Sequence, residues 1–222
     1  MTRRIAIYGG SFDPFHLGHL VPTVRAQETF HFEAVYFVPA GSPPHKSSAP
    51  LTAVTHRLAM VAMATLPYDN FFTSDDEVFA PQPTYSVETV RRFQDRFPDA
   101  TLYFILGSDS FSQIATWEKW EDLVDTVHLV VLHRAHMWGE ELEGRVPKRL
   151  LSRLHLVEPF ERVDDPDDLT VYLLNHEPFP ISGTSIRTRQ RRGLPIRELV
   201  PHEVHSYIEK YGLYGPDESS EG

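Results

Sequence analysis

Gly9-Gly10-Ser11-Phe12-Asp13-Pro14-Phe15-His16-Leu17-Gly18-His19 is the stretch on which the reading of this chain turns. Before it lies the apolar run Ile5-Ala6-Ile7-Tyr8, which predicts a short buried strand, and after it a helical pattern runs to about Phe30. A strand, a glycine turn and a helix in that order make a phosphate site. Glycine has no Cβ and lets the backbone come close to a ligand. The first turn of the helix offers unpaired N–H groups and the positive end of its dipole. His16 and His19 stand three apart, which predicts one shared helix face in that first turn. The spacing is not G-x-G-x-x-G, and no Gly-Lys-Ser/Thr follows, so neither the dinucleotide fingerprint nor the P-loop applies.

Composition bounds the rest. The 222 residues fit one α/β domain, expected over 1–214, with a disordered tail over 215–222. Apolar and charged fractions of 41% and 23% are those of an ordinary globular protein. No run approaches the roughly 20 apolar residues that span a bilayer, so no membrane partner is expected. Met1-Thr2-Arg3-Arg4 leads straight into a strand, which predicts no signal peptide, and the absence of cysteine rules out disulfides and thiolate metal sites. A cytoplasmic protein suits these features. Net charge is −10 and the pI is near 5.6, against a broad nucleic-acid surface. Much of the acidity is local, in Glu161, Asp164, Asp165, Asp167 and Asp168 and in a tail with Asp217, Glu218 and Glu221. Both groups read as solvated. His16, His45, Lys46 and Arg187 are the candidates to line a small anion pocket.

Further strands are predicted at 34–38, within 70–79, at 101–106, 127–132, 154–157 and 170–174. Amphipathic helices are predicted over 55–66, with Leu58, Ala59, Ala62 and Met63 on the apolar side and Arg57 solvated, and from an N-cap at Ser86 to Arg96. A charged surface helix is predicted over 137–149. His133 and His136 form an H-x-x-H pair with no third or fourth ligand evident nearby, and no metal site is expected. Near the end stands Ile181-Ser182-Gly183-Thr184-Ser185-Ile186-Arg187, where Ser182 or Thr184 can cap a helix and Arg187 sits in its first turns. Hydroxyls, helix N–H groups and an arginine together suit a polyphosphate.

The first motif resembles the signature of the nucleotidyltransferase superfamily, with its H-x-G-H element after the first strand. Within it, the chain is most similar to bacterial nicotinate-nucleotide adenylyltransferases. Ile181 to Arg187 resembles the I-S-S-T-x-I-R element that accompanies H-x-G-H, with Gly183 in place of the second Ser. Pro43-Pro44-His45-Lys46, Tyr85-Ser86, Gly107-Ser108-Asp109 and Thr116-Trp117 match further family segments in order, so the likeness runs from about Arg4 to Tyr214. It implies a Rossmann-like, doubly wound, mostly parallel sheet with helices on both faces.

The same likeness implies transfer of AMP from ATP to nicotinate mononucleotide, a step of NAD biosynthesis, with Mg2+ carried in by ATP. Gly9, Gly10, Phe12, His16, His19, Gly107, Asp109, Ser182, Thr184 and Arg187 are then the ATP residues, with His16, His19 and Arg187 catalytic. Ser11, His45, Lys46, Tyr85, Ser86 and Trp117 face the acceptor, Trp117 stacking on the nicotinate ring and Trp120 left for packing. A phosphate acceptor with a second pKa near ~6 arrives ionised and needs no general base. The same reaction on nicotinamide mononucleotide or phosphopantetheine, and a non-catalytic nucleotide sensor, are the alternatives.

Overall fold

The computed structural model describes residues 3–41, 51–80, 84–133, 142, 144–164, 168–176 and 179–216. Seven strands, β1 (Arg3–Gly10), β2 (Ala34–Pro39), β3 (Phe71–Thr73), β4 (Ala100–Gly107), β5 (His128–Leu132), β6 (Leu154–Val157) and β7 (Val171–Leu174), form one sheet. Their order is β3-β2-β1-β4-β5-β7-β6 and every pairing is parallel. The expected mostly parallel sheet is thus wholly parallel. Parallel neighbours need crossovers, which here include α1 (Leu17–Phe30), α2 (Val54–Thr65), α3 (Ser86–Arg96), α4 (Ser108–Phe111), α5 (Trp120–Val124) and α6 (Lys148–Leu151). Two more helices, α7 (Gly183–Arg191) and α8 (His202–Tyr211), follow the last strand.

Central parallel strands are covered on both faces and therefore read as unbroken apolar runs. Ile5, Ala6, Ile7 and Tyr8 of β1 are all buried. The two-residue period of a strand divides them. Ala6 and Tyr8 join Phe30 of α1, Met60 and Val61 of α2, and Val204 and Ile208 of α8. Ile5 and Ile7 join Val90 and Phe93 of α3, Leu123 and Val124 of α5, and Leu150 of α6. These are the two helical layers of a doubly wound fold. No helix among the described residues is long and apolar enough to cross a membrane.

Several local expectations need correction. In α2 the buried positions are Arg57, Met60, Val61, Ala64 and Thr65, a stripe rotated from the predicted one. Arg57, expected in solvent, is 1% exposed. Its Nε donates to the Thr52 carbonyl (2.9 Å), Nη1 to that of Ser11 (2.7 Å), and Nη2 to those of Ala40 (2.7 Å) and Gly41 (3.3 Å). A guanidinium is a fork of five donors, so three separate chain segments can satisfy it away from water. Burial draws its pKa down. Tyr85 rather than Ser86 is the N-cap of α3, where the Glu88 carboxylate accepts from the Tyr85 N–H. Only Phe71–Thr73 of the 70–79 stretch is strand. Of the helix predicted over 137–149, residues 137–141 and 143 lie outside the described residues, and helix begins again only at Lys148. Pro201 is the N-cap of α8.

Because Arg57 holds the Ser11 loop to the end of β2, its loss leaves four half-buried carbonyls without that donor. Arg57→Ala is expected to lower unfolding free energy by about 3 kcal/mol in urea titrations, and a change below ~0.5 kcal/mol would contradict this bonding role.

Candidate active site

In an open α/β sheet the crevice forms beyond the carboxyl ends of the strands, where the winding reverses. Here that place lies between β1 and β4, and it holds a cleft of about 620 Å³. The motif loop after β1, the start of α3, the residues after β4 and the start of α7 all line it. Every predicted site residue within the described residues lies on this one cleft. Gly9, Gly10, Ser11, Phe12, His16 and His19 come from the first motif. Tyr85 and Ser86 come from α3, and Gly107, Asp109 and Trp117 from the region after β4. Ser182, Thr184 and Arg187 come from the second motif. His45 and Lys46 lie outside the described residues. A smaller cavity beside Phe97, Ala100 and His128, at the opposite ends of β4 and β5, includes none of them.

The two histidines are arranged differently from the expected shared turn. His16 has extended backbone (φ −146°, ψ 169°) and is the N-cap of α1, and only His19 is helical. Their rings nevertheless stack, with centroids 3.7 Å apart and planes 23° from parallel. The His16 N–H donates to His19 Nδ1 at 3.3 Å. A neutral imidazole that accepts at Nδ1 carries its proton at Nε2, so His19 presents Nε2 as a donor. Phe12 supports it from below, with centroids 5.0 Å apart and edge-on rings. Phe12 is 1% exposed and packs also on Tyr8 and Phe15. Its φ of 46° is one that a side chain this large rarely adopts; the aromatic packing around it holds it there.

The second motif meets the first directly. Ser182 is the N-cap of α7, its Oγ accepting from the Ser185 N–H at 3.2 Å. Arg187 donates from Nη1 to the Asp13 carbonyl and from Nη2 to Thr184 Oγ1 (3.2 Å). Gly183 makes this approach possible: a Cβ there would lie 2.6 Å from the Asp13 carbonyl oxygen. The departure from the family's Ser thus coincides with a close approach of the two motifs that leaves no room for a side chain. Asp13 itself is buried. Its Oδ1 accepts from the Tyr214 hydroxyl (2.6 Å) and its Oδ2 from the Thr52 N–H (3.3 Å), with Arg187 Nη1 at 3.8 Å from Oδ2. Burial, the Asp13 charge and that hydrogen bond all push the Tyr214 phenol pKa up.

On the other side of the cleft Trp117 follows a single 3₁₀ turn and sets its ring edge-on to Phe104, 6.2 Å between centroids. Glu77 and Thr89 line the same cleft. The Glu77 carboxyl is pushed up to about 7, chiefly by burial, against the opposing pull of Thr89 and Arg92. Asp13, Arg57, Glu77, Thr89 and Tyr214 were not predicted as site residues. Asp13 carried a signal in its place inside the quoted motif, and Thr89 in its place three residues after Ser86. Among the described residues no group of three or more His, Asp or Glu side chains is placed to hold a metal ion. What the cleft offers is convergent donors: the His19 imidazole, the Arg187 guanidinium and the N-terminus of α7, a setting for a polyphosphate.

Comparisons with known proteins agree with this geometry. The cytidylyltransferase-like family model matches residues 7–189. A protein of Desulfitobacterium hafniense (strain Y51) named probable nicotinate-nucleotide adenylyltransferase is 37% identical over 213 residues, covering 96% of each chain. One of the same name from Geobacter sulfurreducens is 35% identical, covering 96% of this chain and 99% of its own. Among solved structures, Plasmodium falciparum nicotinic acid mononucleotide adenylyltransferase superposes with a TM-score of 0.72 in its complex with APC and 0.71 in that with NaAD. Each shares 22% identity over 96% of this chain and 97% of that one, a likeness of fold. The chain belongs to the cytidylyltransferase-like family and, within it, to the nicotinate-nucleotide adenylyltransferases.

Proposed function

We propose that this chain transfers the AMP moiety of MgATP to nicotinate mononucleotide, releasing pyrophosphate and forming nicotinate adenine dinucleotide, in cytoplasmic NAD biosynthesis. The observation that carries this reading is the meeting of the two motifs, 174 positions apart in sequence, through Arg187 and the Asp13 carbonyl. Names of relatives that match along nearly their whole length support the choice of acceptor.

In this reading a phosphate oxygen of the acceptor attacks the α-phosphorus of ATP. The new O–P bond forms as the bond to the pyrophosphate oxygen breaks, and the electron pair leaves with pyrophosphate. The nucleophile is already an anion, so the protein's task is alignment and charge stabilisation. His19 Nε2–H and His16 would donate to the α- and β-phosphates, where charge builds. Arg187 spends only part of its five donors on Asp13 and Thr184, leaving others for the β- and γ-phosphates beside the N-terminus of α7. Gly9, Gly10 and Phe12 bring main chain close to ATP, and Gly107 and Asp109 face its nucleoside part. Ser11, His45 and Lys46 would take the acceptor phosphate, and Tyr85, Ser86 and Trp117 its pyridine ring. Magnesium enters as part of the MgATP substrate.

Magnesium-dependent pyrophosphate release from ATP tests the assignment, with nicotinate mononucleotide, nicotinamide mononucleotide and phosphopantetheine compared as acceptors. Release is expected to be fastest with the nicotinate compound. Release only with another acceptor would overturn the acceptor, and none with any would overturn the reaction. For His19→Ala, kcat is expected to fall by about 10²–10³ while the KM for ATP moves less than ~threefold. Equal changes in both, or none, would contradict a role in the transition state.

A further inference from the structure

Glu77 is a titratable group on the cleft that the proposed mechanism leaves unused. It lines the same cleft as Tyr85, Ser86, Thr89 and Trp117, and its hydrogen bond with Thr89 sets it beside the start of α3, which is assigned above to the pyridine ring. Two contacts fix it. Its backbone carbonyl lies against Gly41, so closely that a Cβ there would come within 2.0 Å of the oxygen. Its Oε1 accepts from Thr89 Oγ1 at 2.5 Å. The Thr89 hydroxyl, buried at 1% exposure, accepts in turn from Arg92 Nη2 at 3.1 Å and so stands between the acid and the arginine. The charged groups facing Glu77 are Arg92 and Glu88 from α3 and Asp76 from its own segment. Asp76 is itself held by Arg96 at 2.9 Å. The net surroundings do little to favour a second negative charge there.

A neutral carboxyl has an O–H to donate, whereas a carboxylate only accepts. A ring substituent such as a carboxylate is drawn to the first and repelled by the second; an amide, with donors of its own, can bond to either. We propose that Glu77 is a specificity-determining residue of the acceptor side, admitting an anionic ring substituent while its carboxyl is protonated and weakening that preference once it ionises. This rests on the pyridine-nucleotide reading above. Burial, the largest influence, raises the group to about 7, so the change of preference falls within the working range. Below that pH Glu77 is neutral and the carboxylate-bearing acceptor is favoured; above it the preference weakens.

The test compares the KM for nicotinate mononucleotide with the inhibition constant of nicotinamide mononucleotide, at pH 6 to 8, in the wild type and in Glu77→Gln. Both compounds carry the same phosphate, so its titration cancels in their ratio. In the wild type the ratio of nicotinate KM to nicotinamide constant is expected to rise about fivefold with pH, the order for two unit charges several ångströms apart in a wet cleft. In Glu77→Gln, whose amide stays neutral, it is expected to stay flat, with the KM for ATP unchanged. A flat wild-type ratio overturns the proposal without need of the variant. So does a slope that persists in Glu77→Gln, or a variant in which the ATP and acceptor constants rise together. Absence of turnover with any pyridine nucleotide would instead overturn the reaction on which the proposal rests.

Discussion

The Asp13 peptide is the point on which the site depends. Its carbonyl takes the Arg187 guanidinium, and Gly183 keeps the first turn of α7 clear of it. Its carboxylate takes the Tyr214 hydroxyl and the Thr52 N–H. Three regions far apart in sequence therefore converge on one buried residue. A buried carboxylate is costly to keep without partners, and here each partner also positions something else. Arg187 is brought to the cleft, Thr52 leads into α2, and Tyr214 follows α8.

A second clamp lies directly behind the first. Arg57 closes the carbonyls of Ser11, Thr52, Ala40 and Gly41 around one guanidinium. With Asp13 and Arg57 holding both sides of the motif loop, Phe12 can be kept at φ 46° beneath His19. Protein contacts alone thus hold the loop in place. Preorganised donors are what stabilise charge as it develops, because no reorganisation is needed at that moment. The stacked pair of His16 and His19 is the outcome of this support.

The architecture was largely legible from sequence because buried parallel strands leave continuous apolar runs, and β1, β2, β4 and β5 each began and ended within a residue or two of expectation. The cleft was legible because its predicted residues sit in two compact motifs and in the shorter segments at Tyr85-Ser86, Gly107-Ser108-Asp109 and Thr116-Trp117. What escaped was held by tertiary contacts alone. Arg57 looks like any surface arginine until three chain segments surround it. His16 at helical spacing from His19 reads as a helical neighbour, although it caps the helix and its ring stacks all the same. Glu77 lies in a stretch that reads as strand but is mostly turn, and nothing local marks its contact with Thr89. Tyr214 lies 201 residues from the carboxylate it meets, beyond the reach of any periodicity.

The most direct check is a crystal structure of the protein with nicotinate adenine dinucleotide, read for the distance from the diphosphate to His19 Nε2 and to the Arg187 guanidinium. Both are expected at hydrogen-bonding distance, about 3 Å, with the pyridine ring against Trp117. A dinucleotide bound with its diphosphate away from both residues, while the Asp13 junction stays intact, would contradict the account.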